Sequence, residues 1–116
     1  VIDGRNPLAE LDWHAAGVRP TVAGYREVAA AAGSLVDAVG ESRLRHRGQV
    51  ELSRGVLAAR QRPLLGGQGF AWDRKAPGSS ALIAASFALW GVDALDVSRP
   101  RRARRGAGSG GRVVVL

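Results

Sequence analysis

Apolar positions recur along this chain at two spacings, and the longest regular stretch is helical. Val22, Tyr25, Val28, Ala29, Ala32, Leu35, Val36 and Val39 follow a period near 3.6 residues, which predicts an amphipathic helix over about 22–39. Gly33 weakens it locally and Gly40 is its expected stop. A second helix is predicted over 7–16, where Asn6 is a good N-cap, Pro7 suits the first helical position and Gly17 closes the end. A third spans 49–61, with Val50, Val56 and Leu57 apolar and Glu51, Arg54 and Arg60 solvated. A fourth, 80–90, is capped by Ser79 or Ser80 and ended by Gly91; it is apolar nearly all round and therefore expected inside the molecule.

Strands are predicted between these helices. Val1-Ile2-Asp3-Gly4 reads as the end of a buried strand stopped by a turn. Val18 to Val22 is a short extended segment that Pro20 restricts to an edge. Leu44-Arg45-His46 is a further short strand, and Phe70-Ala71-Trp72-Asp73 alternates as strands do. Gly66-Gly67-Gln68-Gly69 is best read as the hairpin loop ahead of Phe70. Strands alternating with helices predict an α/β layered domain over residues 1–98.

Composition changes this picture at the C-terminal end. The 116 residues suffice for one domain. The formal charge is +7, but residues 99–112 hold Arg99, Arg101, Arg102, Arg104, Arg105 and Arg112 without an acid. The rest of the chain has eleven basic and ten acidic side chains and is nearly neutral. Residues 99–116 are thus expected to be a disordered basic tail. Its arginines could neutralise DNA phosphates, and it offers no interleaved aromatics for base readout. Basic residues are sixteen Arg and one Lys, and with Gly and Ala they suit coding DNA rich in G and C.

Candidate chemistry is sparse. No cysteine is present, which excludes disulfides, thiolate metal sites and a cysteine nucleophile. There is no GxxxxGK[ST] loop to cradle a nucleotide phosphate, and Ser79-Ser80 lacks a nucleophile-elbow setting. His14 and His46 are too few for a histidine cage, and His46 between Arg45 and Arg47 reads as a solvated loop residue. The longest mainly apolar run, 81–90, is too short to cross a bilayer, and no signal peptide is evident, so a cytoplasmic location in a bacterial host and no membrane partner are expected. Asp3, at a strand end before a glycine, is the best candidate for a catalytic or metal-ligating carboxylate, although Asp also simply begins turns. Asp73 is a second strand-end acid and a weaker metal candidate; the adjacent Arg74 and Lys75 suggest a local ion pair.

The segments Leu44 to Gln49, Val56 to Arg60, Phe70-Ala71-Trp72-Asp73-Arg74-Lys75 and Ala81 to Gly91 together resemble the end of the phage terminase large subunit, in the form found in phages of actinobacteria. Val1 to Arg5 and Leu35 to Val39 fit the same pattern, so the resemblance covers about residues 1–98. It implies a partial RNase H-like nuclease domain whose family cuts packaged DNA with Mg²⁺ or Mn²⁺ held by acids. Asp3 resembles one of the later acidic positions, with Arg74 and Lys75 as nucleic-acid contacts beside the arginines of the tail. The ATPase and the opening strands of the nuclease are not within this sequence. Where the family carries an aspartate entering the last helix, residues 76–80 read Ala-Pro-Gly-Ser-Ser. The implied function is a terminase nuclease fragment that does not cut alone, with double-stranded DNA and the remainder of a terminase or a portal assembly as partners. The alternatives are a small basic nucleic-acid-binding protein and an assembly protein without catalysis.

Overall fold

The computed structural model describes residues 1–67, 69–95 and 113–116. Its elements are β1 (Ile2–Asp3), a 3₁₀ turn (Pro7–Glu10), β2 (Val22–Ala23), α1 (Tyr25–Gly40), β3 (Leu44–Arg45), α2 (Val50–Leu57), β4 (Gln61–Pro63), β5 (Phe70–Trp72), α3 (Ser79–Leu95) and β6 (Val114–Val115). The α/β class expected from the alternation is observed. The strands form three two-stranded sheets: β1 parallel to β2, β3 parallel to β6, and β4 antiparallel to β5.

Two apolar clusters hold the helices together. Leu35 and Ala38 of α1 meet Leu82 and Leu89 of α3 and Val114 of β6. Ala23, Ala31 and Phe87 form the second, flanked by Val28, Ile83 and Trp90. The inner face of α1 is largely alanine, which lets α3 approach closely. Leu89 is fully enclosed, and burying a leucine contributes roughly 1.5–3 kcal/mol.

The ends of α1 are chemically defined. The Gly24 N–H donates to the Glu27 carboxylate at 2.9 Å, which also places negative charge at the positive end of the helix. At the other end Ser42 N–H donates to the Val39 carbonyl and Arg43 N–H to the Ala38 carbonyl. This is a Schellman closure, with Ser42 in the left-handed region at φ 55°. The helix ends at Gly40 as expected, but it begins at Tyr25 rather than at 22, because Val22 and Ala23 pair with β1. Arg43 is ion-paired with Glu41, and hydrogen bonding to that carboxylate raises the guanidinium pKa.

The other three helices also depart from their sequence-based bounds. The helix expected over 7–16 is only the 3₁₀ turn Pro7–Glu10. Asn6 does cap it, accepting from Leu8 N–H, but none of its residues is buried, so no tertiary face sustains a longer helix. Asp12 instead accepts from Ala15 N–H, a local turn that competes with helix. The 49–61 helix stops at Leu57, because Gln61–Pro63 pairs with β5. The last helix runs through Gly91 to Leu95. Gly91 is accommodated within it: a Cβ there would lie 3.2 Å from a Val1 methyl, so the glycine provides room for the start of β1. Ser79 lies in the first turn of α3, and its hydroxyl donates to the Arg74 carbonyl at 2.8 Å.

The glycine-rich stretch is the expected hairpin loop. Gly66, Gly67 and Gly69 all have positive φ, and Leu64 N–H donates to the Gly69 carbonyl. The extended segment at 18–22 reduces to Val22–Ala23. Residues 99–112 lie outside the described residues. The end of the expected tail, however, is structured: β6 pairs with β3, Val114 N–H donates to the Arg43 carbonyl and Leu116 N–H to the Arg45 carbonyl, each at 2.8 Å. Val114 enters the core because an apolar Val-Val-Val-Leu terminus has burial to gain that the arginine run before it does not.

Candidate functional site

Asp3 sits at the carboxyl end of β1, where a strand side chain can face the space beyond the sheet. It is 9% exposed. The next residue, Gly4, runs against β2, its N–H donating to the Ala23 carbonyl at 2.9 Å. Asp3 Oδ1 accepts from Arg5 N–H at 2.9 Å and its backbone carbonyl accepts from Asn6 N–H. The turn-forming role allowed by the sequence is thus real. Its other oxygen, Oδ2, is ion-paired with Arg74.

That pair links distant parts of the chain. Arg74 follows β5, in a loop fixed by the Ser79 hydroxyl on its carbonyl. Asp73, one residue earlier, is half-buried; its N–H donates to the Arg60 carbonyl and its Oδ1 accepts from Lys75 N–H at 3.0 Å. The local ion pair expected of Asp73 is replaced by this turn, because Arg74 points to Asp3.

The Asp3–Arg74 pair lines two depressions. One is a cavity of about 150 Å³ whose lining includes Arg5, Tyr25, Arg62, Trp72 and Ser86. The other is a groove of about 680 Å³ between β1 and α3, lined in part by Ile2, Ser80, Ala84, Ala88 and Val92. Asp73 and Lys75 line neither, so the structure does not bring Asp73 to Asp3. In the cavity, the Arg5 guanidinium lies 5.0 Å from the Tyr25 ring centroid, a cation–π distance. Trp72 Nε1 donates to Ser86 Oγ at 2.9 Å, and that hydroxyl donates to the Leu82 carbonyl. Phe70 packs edge-on against Trp72, with centroids 5.2 Å apart.

The donor set does not fit a two-ion metal centre. Both oxygens of Asp3 are engaged, and no cluster of three or more metal-ligating side chains occurs among the described residues. Two hard cations need several converging acids. What the arrangement offers is positive charge at a small apolar cavity: Arg5, Arg62 and Arg74 against one carboxylate. Of the residues singled out by sequence, Asp3 and Arg74 meet here, Asp73 and Lys75 stand apart, and Arg99, Arg101, Arg102, Arg104 and Arg105 lie outside the described residues. Arg5, Tyr25, Arg62 and Trp72 were not singled out. Arg62 was hidden because residues up to 61 read as helix; pairing of β4 with β5 sets it opposite Ala71.

No helix among the described residues is long and apolar enough to cross a membrane. Compared with protein-family models, curated proteins and solved structures, the chain matches none.

Proposed function

We propose that this chain is part of a terminase-type, RNase H-like nuclease domain, and that by itself it holds DNA without cutting it. The observation carrying this reading is that Arg5, Arg62 and Arg74 line one cavity with Asp3, which ends a parallel strand and is ion-paired with Arg74. Open α/β sheets bind ligands beyond the carboxyl ends of their strands, and guanidinium groups suit phosphate. The sequence resemblance supplies the family, and the parallel β1–β2 pair followed by α1 is compatible with such a sheet. One carboxylate already bound to arginine falls short of the several converging acids that two-metal cleavage needs. Double-stranded DNA is the proposed partner, with the rest of a terminase or a portal assembly as the setting. A basic nucleic-acid-binding protein without catalysis is the second reading, favoured by that single engaged acid.

The test is incubation of the purified chain with plasmid DNA and Mn²⁺, alongside a binding titration with duplex DNA. Binding without nicking is the expected result. Robust nicking that disappears in Asp3→Ala would overturn the non-cutting assignment, and absence of any DNA affinity would overturn the DNA reading itself. The genomic DNA preceding the Val1 codon separates the two readings: a reading frame with a Walker ATPase motif is expected for a terminase.

A further inference from the structure

We propose that the cavity beside the Asp3–Arg74 pair receives the base of an unpaired pyrimidine nucleotide, thymine before cytosine, from a DNA strand. The inference rests on the DNA-handling reading and gives that site a substrate class. Size is the first argument. A cavity of about 150 Å³ is comparable to one that takes a single benzene ring, so a six-membered base is the better fit and a bicyclic purine is too large. Wall chemistry is the second. Val28, Ala31, Ala32, Leu64, Ala71 and Phe87 supply apolar lining. The polar groups of Trp72 and Ser86 satisfy each other, and no buried side-chain nitrogen or oxygen lacks a partner among the described residues. The interior therefore asks for no hydrogen bond from a ligand.

Charge at the edge is the third argument. Arg5, Arg62 and Arg74 outnumber Asp3, so the entering ring should belong to an anion. Thymine carries its O2 and O4 acceptors, with the N3–H donor between them, along one edge and its C5–C6 bond on the other. The C5–C6 edge, with the thymine methyl, suits the alanine-rich interior. The two carbonyl oxygens of that edge and the phosphate accept from guanidinium donors, since arginine donates and never accepts. A base stacked and paired in a duplex cannot enter such a cavity; one outside the stack can.

The experiment uses the full chain and two labelled single-stranded probes of equal length, oligothymidylate and oligoadenylate, with duplex DNA as a third arm. Fluorescence anisotropy at moderate salt gives the ratio of affinities; arginines elsewhere act on both single strands alike, and the part of the ratio that a cavity-filling variant removes belongs to the cavity rather than to the self-stacking of oligoadenylate. Oligothymidylate should bind about tenfold more tightly, the scale of one well-held base. Ala32→Leu, which fills the cavity, should bring the ratio to about one while duplex binding persists. Should that variant not fold by circular dichroism, Arg62→Gln on the exposed β4 strand decides: a reduced ratio supports the proposal and an unchanged ratio overturns it. Equal binding of both probes by the unaltered chain also overturns it, and with duplex binding intact this leaves the DNA reading standing. Failure to bind any of the three removes both.

Discussion

Gly55 of α2 and Gly78 ahead of α3 meet backbone to backbone: a Cβ on Gly78 would lie 2.7 Å from the Gly55 nitrogen and 2.9 Å from its Cα. This crossing seats α2 on the start of α3. Gly78 also has φ +71°, a region that costs an L-residue about 1–2 kcal/mol. Gly78→Ala should therefore destabilise by about 2–4 kcal/mol, combining backbone strain with overpacking. Gly55→Ala, with overpacking alone and a better helix former, should cost about 1–3 kcal/mol. Urea denaturation of the two variants measures this; a neutral Gly78→Ala would mean the two segments are not in contact.

Opposite signs are expected around α1. Gly33 lies within the helix with nothing inside 4 Å of a Cβ built there, so Gly33→Ala should stabilise by about 0.5–1 kcal/mol. Ser42 occupies the left-handed closing position where glycine is usual. Ser42→Gly should add about 0.5–1 kcal/mol, and Ser42→Val should cost about 1–2 kcal/mol. Thermal melts rank the three; a stabilising Ser42→Val would refute the closure.

The Asp3–Arg74 pair should be visible as coupling. The Asp3 side chain is 10% exposed but that of Arg74 is 49% exposed, so solvent weakens the attraction well below that of a fully buried pair. A double-mutant cycle with Asp3→Asn and Arg74→Gln should give a coupling of about 1–2 kcal/mol. Additive effects would show that the pair contributes no more than two independent surface charges. Arg74→Gln also frees Asp3 Oδ2, so Mn²⁺ binding measured by calorimetry should rise from negligible to weak and remain far from a two-ion affinity.

How far the sequence carries the fold follows from where each element gets its stability. Helix α1 has a long apolar stripe that meets α3, and its period revealed it. The hairpin was legible because Gly66, Gly67 and Gly69 are needed for positive φ. The 7–16 helix misled because its cap and spacing were sound while its burial partner was absent, a tertiary property. Strands β3 and β6 are separated by most of the chain, so local pattern could show Leu44–Arg45 extended without showing its partner. The site was half legible for the same reason. Asp3 carries a local signal, a strand-end acid before glycine, whereas Arg62 matters only through its register with Ala71.

The ordered terminus changes what can be learned about the basic tail. Ending the chain at Ser98 would remove the six arginines of 99–112 and β6 together. Loss of DNA binding by such a chain would not separate charge from fold, because Val114 belongs to the main core cluster. Two variants separate them. Replacing Arg99, Arg101, Arg102, Arg104 and Arg105 with serine, with 113–116 retained, should leave the denaturation midpoint nearly unchanged. Its duplex binding should weaken, and the slope of log K against log salt should become shallower by about 0.9 for each phosphate that is no longer neutralised. Deleting Val113 to Leu116 with the arginines kept should do the reverse. Removing the buried Val114 and its pairing with β3 should cost about 2–4 kcal/mol, while the salt slope of whatever folded protein remains should be preserved. If the serine variant binds duplex DNA as tightly as the parent across the salt range, the phosphates must be held by the nearly neutral body together with the retained Arg112. Arg5, Arg62 and Arg74 would then be the first arginines to replace.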